Sequence, residues 1–329
     1  MTTTILLSGG GALGAFQAGA LAALQPAIDD AQFDRPAHMV GISVGALNAT
    51  LAALNHHDWG WVANHWHQHV RRPEDIATRK SPVTRILPGL LRGRFDGLVD
   101  TAPLRGMLAR HVSVAMLRKS PIAVHAGAVN LDTGALSYKT QLHPDFLDHL
   151  LASSAIPLVF PSVDINGEAW ADGGLVEVAP ATHCIGLGAD RIIAILCQSE
   201  RPERQPVDAG NALALAERLM DIVTISLLEK DVRAIEGVNR RIRDAERDIK
   251  RKSAGSFVPS RRSEFERRGL TMDKRLIDVA IIRPPAPLGY NTGAFTERDI
   301  ARALDMGREA GAAFVEGERL ARAGTVRAA

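Results

Sequence analysis

Met39-Val40-Gly41-Ile42-Ser43-Val44-Gly45-Ala46-Leu47-Asn48-Ala49 joins a short apolar run to an alanine-rich segment through a serine set between two glycines. Residues 39–42 read as a buried strand and residues 46–54 as a helix, so Gly41-Ile42-Ser43-Val44-Gly45 fits G-x-S-x-G, the pattern of a nucleophile elbow. In such an elbow the serine occupies a sharp, strained turn, and the small residues Gly41 and Gly45 let strand and helix approach. The turn puts Ser43 at the N-terminal end of a helix beginning near Val44, where free backbone N–H groups can stabilise an oxyanion. A glycine-serine turn without chemistry fits the pattern alone equally well; the strand before it and the helix after it favour the elbow.

Toward the N-terminus the same order appears once more. Residues 4–8 are β-branched and apolar, Gly9-Gly10-Gly11 follows, and residues 12–24 read as an alanine-rich helix. Two strand–turn–helix units within fifty residues predict right-handed crossovers and a mostly parallel central sheet with helices on both faces, a three-layer α/β/α fold. Toward the C-terminus, strands are expected at residues 122–129, 191–197 and 276–282, and helices at residues 211–248 and 297–323. Residues 1–205 are expected to form the catalytic core, and residues 206–329 a C-terminal helical extension with one strand, packed on the core. Within the extension, residues 240–275 hold thirteen Lys or Arg against six Asp or Glu, broken by Ser, Gly and Pro. That composition predicts a mobile basic excursion rather than a packed element.

Gly9-Gly10-Gly11-Ala12-Leu13-Gly14 also satisfies G-x-G-x-x-G, the dinucleotide fingerprint, which wants an acid at the end of the second strand. Here that strand ends in Ser43, and Asp29, Asp30 and Asp34 precede it. The glycine loop is better read as an oxyanion hole, with donors from Gly9 to Ala12 together with Val44, and Gly14 in support.

A serine hydroxyl needs a positioned base. An α/β-hydrolase would place a histidine late in the chain, but beyond residue 172 only His183 occurs. His56, His57, His65, His67 and His69 cluster with Trp59, Trp61 and Trp66. His65 and His69 could share a helix face as metal ligands, yet no nearby third ligand is evident, and a wetted helix face is the preferred reading. No metal and no organic cofactor is expected. Asp172-Gly173-Gly174 supplies another base, an aspartate where glycines let backbone come close. It follows Ala152-Ser153-Ser154-Ala155-Ile156-Pro157-Leu158-Val159-Phe160-Pro161, a stretch too apolar for a surface loop.

Together these residues resemble the patatin-like phospholipases, whose motifs are a glycine-rich loop, G-x-S-x-G, A-S-x-A-x-P-x-x-F, and D-G-G or D-G-A, all present here in that order over residues 5–180. The resemblance implies a patatin-like fold, with Ser43 as nucleophile, Asp172 as its base and the loop of residues 9–14 as oxyanion hole. Two positions depart from the family pattern. Leu13 stands where members commonly carry Arg or Lys, which removes a positive charge near the site. Val178 stands where they carry Asn, which bears on support of the Asp172 loop.

The implied activity is hydrolysis of lipid or other acyl esters through an acyl-serine. The alternatives are an acyltransferase built on the same intermediate and a non-catalytic lipid-binding protein of the same fold. The rest of the composition is consistent with this. With 46% apolar and 23% charged residues over 329, the chain is globular, and a net charge of +2 gives no ground for a nucleic-acid partner. Neither a signal sequence nor a spanning run is read, so a cytoplasmic enzyme is expected, with the basic segment as a candidate peripheral contact to anionic membrane. Cys184 and Cys197 are too few for a disulfide framework and are expected to be buried thiols.

Overall fold

A computed structural model describes residues 2–81, 91, 96–200, 212–252, 267–268 and 276–327. Its centre is an eight-stranded sheet whose main path runs β10-β9-β1-β2-β5-β8-β7, with β6 on β5. The strands are β1 (Thr3–Leu7), β2 (His38–Ile42), β5 (Ala123–Asn130), β6 (Leu136–Thr140), β7 (Val163–Ile165), β8 (Glu168–Asp172), β9 (Arg191–Ile195) and β10 (Asp278–Ile282); β3 (Thr78–Arg79) and β4 (Val99–Asp100) form a separate pair. From β10 to β5 every pairing is parallel, and the pairings of β6 with β5, β8 with β5 and β7 with β8 are antiparallel. The helices are α1 (Gly14–Asp29), α2 (Val44–Leu54), α3 (Gly60–His69), α4 (Ala102–His111), α5 (Val114–Leu117), α6 (Phe146–Ser153), α7 (Ala181–Gly186), α8 (Ala212–Lys252) and α9 (Glu297–Arg327).

Successive side chains of a strand point to opposite faces, and the central strands are apolar on both. Ile5, Leu7, Met39, Ile193 and Ile195 join one core with α1, α2, α3 and α9. Leu6, Val40, Ile192 and Ala194 join a second with α7 and Leu228 of α8. This is the three-layer α/β/α arrangement, and it explains why β1, β2 and β9 read as unbroken apolar runs rather than alternating ones. The C-terminal residues complete the sheet: β10 pairs with β9, and α9 lies against α1 so closely that a Cβ on Gly19 would fall on the Leu304 carbonyl.

The basic stretch departs from its expected form at the start. α8 continues as helix to Lys252, with Ile242 and Ala245 buried. Asn239 is also buried and bonds both the N–H and the carbonyl of Ile277, just ahead of β10. An inward helical face therefore persists beneath the charges, which spacing of three to four residues allows. Residues 253–266 and 269–275 lie outside the described residues. Both cysteines are buried free thiols. Among the described residues no helix is long and apolar enough to cross a membrane.

Candidate active site

Register on β5 brings the two ends of the site together. β2 pairs along β5 up to Ile42 opposite Gly127, and β8, running the other way, pairs down to Asp172 opposite Ala128. β6 already pairs with residues 125–129, so β2 and β8 must share the opposite edge of β5. They meet there end to end, and both chains turn away from the sheet at the junction, one through Ser43 and the other through Asp172.

Ser43 lies at φ 54, ψ −129, a left-handed conformation uncommon for a side-chain-bearing residue. Close packing of strand against helix enforces it. A Cβ on Gly41 would fall on the Gly45–Ala46 peptide, and one on Gly45 would fall on the Leu7 carbonyl. Ser153, at the end of α6, holds the turn: the Ser43 N–H donates to Ser153 Oγ at 3.0 Å, and that hydroxyl donates to the Gly127 carbonyl at 2.6 Å. The next residues of the apolar stretch hold the other half, with the Asp172 N–H donating to the Ala155 carbonyl at 2.9 Å. This stretch is thus the spine behind both polar residues, which accounts for its hydrophobicity.

Asp172 is buried, 4% exposed, and its carboxylate accepts at 2.7 Å from the Gly174 N–H and shares a cavity with Ser43. Burial pushes this carboxyl up to about 7, and the neighbouring Ser43 hydroxyl and Gly174 N–H only partly offset it. Gly173 passes over Gly127, where a Cβ would lie 2.7 Å from the carbonyl oxygen.

The glycine loop faces the same junction. Gly9, Gly10 and Gly11 line a cavity with Ser43 and Asp172, and α2 starts at Val44, directly after Ser43, so the N–H groups of its first turn have no partners within the helix. One expected donor is removed: the Gly9 N–H already donates to the Val178 carbonyl at 3.2 Å. Gly10, Gly11 and Val44 remain, while Ala12 is wholly buried at the first turn, its carbonyl accepting from the Tyr290 hydroxyl. Gly14 supports the loop, since a Cβ there would strike the side chain of Val44.

The two family departures fall in different places. Leu13 packs on the core and lines neither cavity at Ser43. Val178 is buried, and its N–H and that of Ala179 both donate to Asp231 of α8, so the loop after Asp172 is held from the C-terminal helix. Sequence reading missed Ser153, Asp231 and the cavity-lining Gln198, Thr224 and Thr292. Ser153 stood inside a quoted motif; nothing local marked the others.

Two cavities meet at Ser43. The first is the mixed polar cleft of the glycine loop and Asp172. The second runs between α2, α3 and α4 and is lined almost wholly by carbon, including Leu47, Leu51, Trp66, Leu104 and Met107. The histidine–tryptophan stretch forms part of its wall, which corrects the expectation of a wetted helix: His65, Trp59 and Trp66 are buried, and the Trp66 indole N–H donates to Asn48 at 2.8 Å.

His183 lies elsewhere. Its ring bonds His125 at 3.1 Å and stacks on Tyr138, and His125 in turn bonds His38.

A family model of patatin-like phospholipases matches residues 5–185. The chain belongs to the patatin-like phospholipase family. Its fold is the patatin fold, and membership places it among lipid acyl hydrolases. Among solved structures it is similar to VipD from Legionella pneumophila, at 13% identity and a TM-score of 0.46, over 96% of this chain and 67% of that one. No curated protein matches it.

Proposed function

We propose that the chain hydrolyses lipid acyl esters through an acyl-Ser43 intermediate, with Asp172 as the only side-chain base. The observation that carries this reading is the meeting of Ser43 and the buried Asp172 at the junction of β2 and β8, on one cavity and beside the N-terminus of α2. Asp172 accepts the hydroxyl proton as Oγ attacks the acyl carbon, and the N–H groups of Gly10, Gly11 and Val44 receive the charge that develops on the carbonyl oxygen. The ester C–O bond then breaks, and Asp172 returns the proton to the departing alcohol. In the second half Asp172 takes a proton from water as its oxygen attacks the acyl carbon; the acyl C–Oγ bond then breaks and Asp172 returns the proton to Ser43 Oγ, freeing the acid. A carboxyl raised to about 7 is a far better base than an ordinary aspartate and is still half ionised near neutrality.

The apolar cavity beside Ser43 suits an acyl chain, and the polar cleft suits the alcohol portion. A fluorophosphonate probe should label Ser43 stoichiometrically, and turnover of esters graded in chain length should rise until the chain fills the apolar cavity. A folded chain that neither reacts with the probe nor turns over any ester overturns the reading.

The basic excess of residues 240–275 supports peripheral association with anionic membrane, each Lys or Arg near the surface contributing about 1 kcal/mol within a Debye length of about 8 Å. Vesicle binding should then weaken with salt and with Arg261→Gln and Arg262→Gln, while turnover of a soluble ester is unchanged. Binding indifferent to both excludes the segment.

A further inference from the structure

His65 and His69 stand one turn apart on α3, on one face of the helix. The last residue of α4, His111, completes a triangle with them. The ring centroids are 4.6 Å apart for His65–His69, 4.6 Å for His65–His111 and 4.7 Å for His69–His111, with interplanar angles of 51°, 75° and 41°. The rings therefore approach one point from three directions instead of stacking. One nitrogen from each lies within 4.8 Å of the other two. Three imidazoles on a tetrahedral metal, at about 2.0–2.1 Å each, bring their nitrogens to about 3.3 Å, which small ring rotations supply.

The surroundings favour a ligand over simple packing. Among the described residues no hydrogen bond or ion pair joins these rings to other groups, in contrast to the His38–His125–His183 chain, where each ring bonds the next. Three imidazole nitrogens within 4.8 Å of one another and not bonded to other side chains are a set that a borderline-soft cation can take. His65 is 5% exposed and is fixed by stacking on Trp61 at 4.9 Å. His69 and His111 are half-buried, and His69 opens onto a surface cavity shared with Glu74 and Arg110, which gives an entry path and room for solvent as a fourth ligand.

We propose that His65, His69 and His111 form a binding site for a divalent transition metal of the zinc class. Its place in the fold assigns its effect. His65 and His111 both line the apolar cavity that reaches Ser43, so a bound ion would pin α3 to α4 and hold two of that cavity's walls together. The ion takes no part in the proposed ester chemistry, and the site does not depend on that reading.

The test is calorimetric titration of Zn²⁺ into the untagged, chelator-treated full chain. Wild type should bind one ion per chain with micromolar or tighter affinity. His69→Gln and His111→Gln, each verified as folded by circular dichroism, should weaken binding about tenfold or more, and His67→Gln, on the same helix but exposed, should leave it unchanged. Co²⁺ should give visible absorption in wild type that both ligand variants lose. Absence of Zn²⁺ binding in wild type, or equal affinity in wild type and the two ligand variants, overturns the site. Because no step of the measurement reads catalysis, a failed metal site and a failed acyl-serine mechanism are separately visible.

Discussion

Two buried polar clusters hang on β5. At its upper end Asp172 sits opposite Ala128, beside Ser43. Lower down, His125 sits opposite Val40 and bonds His38 on one side and His183 on the other. Val40 is three residues before Ser43, so at about 3.3 Å per residue the imidazole chain lies roughly 10 Å from the nucleophile. Burial neutralises both clusters to different ends. It raises Asp172 to about 7, close to the working pH, whereas it lowers His125 to about 4, out of proton exchange near neutrality. A base is therefore defined by a free lone pair facing the nucleophile and a suitable pKa, and residue type is secondary.

The comparison breaks most sharply on substitution. Ser43→Ala and Asp172→Asn should each lower kcat by about 10⁴-fold, as loss of a member of a catalytic unit does, while His183→Ala should stay within about threefold of wild type. Wild-type turnover in Asp172→Asn, or loss in His183→Ala equal to that in Ser43→Ala, would reverse the roles of the clusters.

The pH dependence sharpens it next. If Asp172 is the base, as proposed, its acting form is the carboxylate, so kcat/KM should rise with pH and level off above about 7. Stability should move the other way. The folded state holds the Asp172 proton more tightly than the unfolded chain, so this group's contribution is complete below about 4 and is lost as pH rises through about 7. At pH 8 Asp172→Asn, although inactive, should melt several degrees higher than wild type by calorimetry; a lower Tm would show that the carboxylate is well compensated in place.

A smaller effect is expected at Ser153. Removing its hydroxyl frees the Ser43 N–H and the Gly127 carbonyl, a loss of about 1–3 kcal/mol, so Ser153→Ala should react with a fluorophosphonate about tenfold more slowly through a relaxed elbow. Smallest of all is Leu13→Arg: since Leu13 lines neither cavity, the ratio of turnover on anionic and neutral esters should not change.

The elbow was legible because its constraints are local: an apolar strand, two glycines and a helix start lie within a dozen residues. Asp172 was legible for a related reason, as the glycines that let it approach Gly127 follow it directly. What escaped notice depends on distant partners. His111 lies on another helix, α4, so α3 alone showed only two of the three clustered imidazoles and read as a solvated face. Gly9 looked like a donor until the loop of Val178 closed over it, and no periodicity in residues 176–180 announces Asp231. In the basic stretch a helix was expected as far as residue 248, but the charge density hid that Ile242 and Ala245 pack inward.

The Tyr290 hydroxyl reaches back to the Ala12 carbonyl, and Thr292 stands over Gly11 in the wall of the cleft. In order of synthesis this contact spans almost the whole chain. Ser43 leaves the ribosome early, but β9 must find β1, and residues 290–292 must arrive, before the glycine loop has its outer wall. A nascent or prematurely terminated chain therefore carries the Ser43 elbow without a finished cleft, and the proposed activity would be withheld until β10 has joined the sheet.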